Sequence, residues 1–151
     1  MDNTRILWVD DEVENLRPHI IFLESKGFHV LKATNGSDAL SILGDNLVDV
    51  VLLDEHMPGQ SGLDILPEIK ILRPSVPIIM VTKSEEEGLM EQAIGEDIAD
   101  YLLKPVQPRQ ILSSLMRLLD RKQLVSNRSI SNYQSGFREL SESINYADSW
   151  I

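Results

Sequence analysis

The sequence predicts an α/β fold, a doubly wound sheet of five parallel strands followed by a C-terminal helical extension. Three observations predict it. Apolar runs of four to six residues alternate with segments of helical period over about 120 residues. One run, Val50-Val51-Leu52-Leu53, is aliphatic throughout, as expected of a central strand buried on both faces. Four runs end in polar residues that fit one site. Ile6-Leu7-Trp8-Val9 leads to Asp10-Asp11-Glu12, and Val50–Leu53 leads to Asp54. Ile78-Ile79-Met80-Val81 leads to Thr82, and Tyr101-Leu102-Leu103 to Lys104-Pro105.

The elements follow in order. After the first run, Val13, Leu16, Ile20 and Leu23 share a helical face, with Gly27 as the stop. Pro18 lies inside that pattern and should bend the helix or loosen its first turns. Phe28-His29-Val30-Leu31 reads as the second strand, and Asp38 to Gly44 as a short helix. Met57-Pro58-Gly59-Gln60-Ser61-Gly62 is turn material after the third strand. Leu66, Ile69 and Leu72 place a helix before Arg73-Pro74. Val76–Val81 is the fourth strand, and Glu85-Glu86-Glu87 is the solvated opening of the next helix, at the positive end of its dipole. Ala99–Leu103 is the fifth strand, and Pro108 starts a helix with Ile111, Leu115 and Leu118 inward. The flavodoxin-like order 2-1-3-4-5 sets strands one and three side by side, their carboxyl ends forming the crevice where such sheets bind ligands.

A chain of 151 residues is one domain with about 30 residues to spare, expected as a unit over 1–121 and an appendage over 122–151. Residues 1–120 hold 21 acidic and 10 basic side chains, a net of −11, whereas 121–151 are close to neutral. Such an acidic body argues against nucleic acid as a direct partner. Without cysteine there is neither a disulfide framework nor a thiolate site. No signal peptide and no membrane-length apolar run is present, so the expected location is cytoplasmic, with no membrane partner. Gln123 to Ser131 reads as a polar hinge. Beyond it Tyr133, Phe137, Leu140, Ile144, Ala147 and Ile151 recur at spacings of four and three, a seam on an amphipathic helix. That helix is expected to begin a linker to a further output domain, or to fold back on its own domain.

Three carboxylates at one sheet edge repel one another unless a cation lies between them. All-oxygen ligands with open positions suit Mg²⁺. Lys104 would add a second positive charge and Thr82 a hydroxyl donor, which is what phosphoryl transfer to Asp54 requires. His56 is a poor side-chain match for Mg²⁺, and His19 and His29 read as structural or surface residues with no partners nearby.

Residues 4 to about 120 resemble the receiver domain of two-component response regulators. Asp10-Asp11 match its acidic pair, Asp54 its phosphorylated aspartate, Thr82 its switch hydroxyl, Lys104 its invariant lysine and Tyr101 its rotating aromatic. Met57-Pro58-Gly59 and Gly62 match its M-P-G-x-x-G loop. The resemblance implies Mg²⁺ held by Asp11, Asp54 and the backbone carbonyl of His56, with Asp10 acting through water, and a cis Lys104–Pro105 bond. It implies phosphorylation by a sensor histidine kinase. The acidic body and the seamed tail motivate the expectation of a homodimer through helix four, strand five and helix five, with the C-terminal helix. Glu55 and Lys83 depart from the pattern, which has a hydrophobic residue at the first and a small one at the second, and Glu55 is expected to pair with Lys83. The stretches from Asp54 to Gly59 and Val81 to Glu87, with the helical tail, resemble regulators of type IX secretion that carry an alkaline-phosphatase-like output domain. Three other protein classes share parts of this pattern. A haloacid-dehalogenase-like phosphohydrolase carries its nucleophile after strand one and its acidic pair last, the reverse of this chain. A phosphate-independent pseudo-receiver is opposed by the intact site but left open by Lys83, and a DNA-binding regulator would need a helix-turn-helix that the tail lacks but a further C-terminal domain could supply.

Overall fold

The structure is a computed structural model and describes residues 3–83, 87–95 and 98–120. The expected hinge and seam over 122–151 lie outside these residues, as do Glu85 and Glu86. The chain divides into two compact units after Ser114, and the sheet belongs to the first.

Five parallel strands stand in the order β2-β1-β3-β4-β5, as the alternation of runs predicts. They are β1 (Arg5–Val9), β2 (His29–Ala33), β3 (Val50–Leu53), β4 (Ile78–Thr82) and β5 (Asp100–Leu103). Between them lie α1 (Arg17–Ser25), α2 (Gly36–Asp45), α3 (Gly62–Leu72) and α4 (Glu87–Gly95), and residues 108–120 form α5. All four residues of β3 are fully buried, since helices cover both faces of a parallel sheet. Leu7 and Val9 of β1 pack with Ala39, Leu43, Leu66 and Ile69 of α2 and α3. Trp8 points the other way, edge-on to the ring of His19 on α1 at a centroid distance of 6.2 Å.

Local chemistry sets the element ends. Val13–Leu16 is a 3₁₀ turn, and α1 proper starts only at Arg17, with Pro18 in its first turn where a missing N–H is harmless. The helix expected from Val13 is thus split into a 3₁₀ turn over Val13–Leu16 and α1 from Arg17, with Pro18 at its start rather than inside it. Helix α2 starts two residues earlier than its apolar spacing predicts, because the Asn35 side chain accepts from Asp38 N–H at 2.8 Å. Strand β2 starts one residue later than expected and continues to Ala33. Helix α3 opens with a reciprocal capping box between Ser61 and Asp64, and carries Pro67 in its interior.

His19 is not partnerless. Its Nε2 lies 2.6 Å from the carbonyl oxygen of Val106, so this nitrogen carries the proton and ties α1 to the segment after Lys104. The spacing of 87 residues hides that bond from any local reading.

Candidate functional site

Strand register assembles the site. Val9 stands opposite Leu53, so Asp10 and Asp54 leave neighbouring strands side by side, and the Asp54 N–H donates to Val9 at 3.0 Å. Thr82 is the last residue of β4 and stands opposite Leu103, while Lys104 N–H donates to the Thr82 carbonyl at 2.9 Å. Asp10, Asp54 and Thr82 are buried, Asp11 is exposed, and Lys104 keeps 12% of its side-chain surface.

Carboxylate oxygens of Asp10, Asp11 and Asp54 lie within 4.8 Å of one another. The Lys104 ammonium stands 2.5 Å from Asp10 Oδ2 and 3.7 Å from Asp54 Oδ2. Burial pushes the Asp54 carboxyl above its ordinary range; Lys104 opposes the shift, Asp10 adds to it, and the Thr82 hydroxyl and His56 N–H pull it down. Asp54 Oδ1 is buried without a hydrogen-bond partner. A buried carboxylate oxygen beside two further carboxylates is a ligand set for a hard divalent cation. All donors are oxygens, so the residues present fit Mg²⁺.

The loop after Asp54 is held by Glu55. Its Oε1 accepts from the Leu63 N–H at 2.8 Å, and its carbonyl from the Gly62 N–H at 3.0 Å. Burial pushes its carboxyl up, and the Leu63 N–H opposes that shift. Among the described residues Glu55 makes no ion pair with Lys83, contrary to expectation, because its carboxylate is turned to the α3 N-terminus. Gly62 is required there: a Cβ would fall 2.3 Å from the Asp54 carbonyl oxygen.

Other predicted residues fall as follows. His56 is exposed, one residue past Glu55, and Tyr101 is half-buried against the core. Lys104–Pro105 is cis. Lys83 is exposed and lines a cavity of about 480 Å³ with Lys104, Leu16, His19, Pro105 and Val106. Sequence reasoning missed what Glu55 does, since a carboxylate reaching a helix eight residues away has no local signature.

A family profile described as the response regulator receiver domain matches residues 6–116. The chain belongs to that family. It is 33% identical over 120 residues to the transcriptional regulatory protein ResD of Bacillus subtilis, covering 80% of this chain and 50% of that protein. It is 35% identical over 118 residues to the phosphate regulon transcriptional regulatory protein PhoB of Pseudomonas aeruginosa, covering 77% and 52%. The chain therefore spans about half the length of these relatives. A CheY-like receiver domain protein from Methanospirillum hungatei superposes with a TM-score of 0.76 at 28% identity, covering 81% of this chain and 98% of that one. A receiver domain protein from Clostridium thermocellum gives 0.74 at 34% identity, covering 81% and 98%.

Proposed function

We propose that this chain is a phosphorylation-driven switch that accepts a phosphoryl group on Asp54 from a sensor histidine kinase. The observation that carries it is the convergence of Asp10, Asp11, Asp54 and Lys104 at one sheet edge. Asp10, Asp11, Asp54 and the His56 carbonyl would hold Mg²⁺, which when bound supplies positive charge against the phosphoryl oxygens. Asp54 attacks phosphorus, the bond to the donor's imidazole nitrogen breaks, and the imidazole leaves with its electron pair. Lys104 offsets the charge of the transferred group, and the Thr82 hydroxyl donates to one of its oxygens. Small phosphodonors serve by the same attack, and water on the acyl phosphate resets the switch.

Thr82 and Tyr101 then move inward and reshape the face of α4, β5 and α5. Driving that change from 1:99 to 99:1 takes about 5.5 kcal/mol of differential stabilisation. Ile94 and Leu103 expose apolar surface on that face, which supports a homodimer there, with the tail helix carrying the signal onward. The acidic body speaks against direct contact with nucleic acid, although relatives whose length this chain spans by about half are named as transcriptional regulators. No described helix is long and apolar enough to cross a membrane, which is compatible with a cytoplasmic site of action. The run Asp54-Glu55-His56-Met57-Pro58-Gly59 and the seamed tail favour an output linked to type IX secretion through an alkaline-phosphatase-like domain.

Incubation with acetyl phosphate and Mg²⁺, followed by intact-mass measurement, tests the reading. Wild type gains one phosphoryl group and Asp54→Asn gains none. A wild type that stays unmodified under donor and kinase alike is a pseudo-receiver instead.

A further inference from the structure

Two of the first three N–H groups of α3 are satisfied by one residue. Gly62 N–H goes to the Glu55 carbonyl and Leu63 N–H to the Glu55 carboxylate, while Asp64 N–H goes to Ser61 Oγ at 3.1 Å. The peptide unit joining Glu55 to His56 is consequently held from both sides. Its carbonyl accepts from Gly62, and its N–H faces the Asp54 carboxylate. Gly62 packs so close that a Cβ there would stand 3.0 Å from Glu55 Cα, so only glycine lets α3 start this near the turn. The next carbonyl along the chain is that of His56.

We propose that Glu55 is a positioning residue for the cation site, acting as a hydrogen-bond acceptor that fixes the turn between Asp54 and α3 and so aims the His56 carbonyl. The inference rests on the proposed function above, since it presumes that Mg²⁺ binds at the three aspartates. Glu55 touches neither the cation nor the phosphoryl group. It acts through Leu63, as outer partners of metal ligands commonly do, and their loss typically weakens metal binding about tenfold or more. A hydrophobic side chain at this position would leave the Leu63 N–H without its acceptor and give the turn freedom.

The test is a Mg²⁺ titration of the full chain, followed by amide NMR shifts, on wild type, Glu55→Gln, Glu55→Leu and Ser61→Ala. Glutamine keeps an acceptor oxygen and loses the charge. The expected result is near-wild-type affinity for Glu55→Gln and about tenfold weaker binding for Glu55→Leu. Ser61→Ala removes a different α3 cap, so it lowers thermal stability and leaves Mg²⁺ affinity unchanged. Wild-type affinity in Glu55→Leu overturns the proposal, and so does equal weakening in Glu55→Gln and Glu55→Leu, which would assign the effect to charge. A Ser61→Ala protein that loses affinity as much as Glu55→Leu would reduce Glu55 to a helix cap and overturn it as well. A wild type that binds no Mg²⁺ at all removes the underlying functional reading rather than the role of Glu55 alone.

Discussion

The Lys104 ammonium sits 2.5 Å from Asp10 Oδ2 and 3.7 Å from Asp54 Oδ2, so one partly buried cation serves two buried carboxylates. Removing it leaves both acids uncompensated. Breaking a buried pair on one side costs about 3–5 kcal/mol. Lys104→Met should lose stability on that scale in urea unfolding without metal. Mg²⁺ should restore more stability to this variant than it adds to wild type, because it supplies the missing positive charge.

The raised carboxyl of Asp54 has a consequence for pH. A carboxyl whose folded pKa lies above its unfolded value binds more protons when folded. Stability therefore falls as pH rises from the ordinary value of 3.8 through the raised one. Without metal, Asp54→Asn should melt higher than wild type at neutral pH. The gap should close as the pH is lowered through that window. A gap that stays constant with pH would show that Asp54 is not the group responsible.

Gly62→Ala should be damaging out of proportion to one methyl group. Its Cβ meets backbone of Asp54 rather than a movable side-chain end, at 2.3 Å from the carbonyl oxygen. Overpacking of this kind costs about 1–3 kcal/mol. Thermal melts should show that loss, together with slower phosphorylation of Asp54, since the chain at Asp54 must shift to make room.

Lys83 shares a cavity with Lys104, whose ammonium stands 3.7 Å from Asp54 Oδ2. Its ammonium would shield an acyl phosphate on Asp54 from water. Exposed charge interactions are worth about 0.2–1 kcal/mol, so Lys83→Ala should shorten the phosphoryl lifetime by a factor of up to about five. Decay of the phosphorylated mass after removal of donor measures it.

Much of the site was legible because parallel strands convert sequence position into place. Once β1, β3, β4 and β5 are recognised as apolar runs, their carboxyl ends must share an edge, and Asp10, Asp54, Thr82 and Lys104 come together. Element ends were less legible where a side chain, not periodicity, sets them, as Asn35 does for α2. Least legible were contacts across distant segments. The His19 bond to Val106 and the reach of Glu55 to Leu63 depend on how helices close over the sheet, which no local pattern encodes. Charge arithmetic paired Glu55 with Lys83, but the unsatisfied N–H groups of a helix start were the nearer partner.

Asp54, rather than Asp10 or Asp11, is expected to take the phosphoryl group. Reduction of the phosphorylated protein with borohydride converts an acyl phosphate to an alcohol and marks the residue that carried it. Peptide mapping should find homoserine at position 54 alone, and none in protein that has not met a phosphodonor. Homoserine at position 10 or 11, or phosphate retained on His56 with no reduced aspartate, would contradict the account.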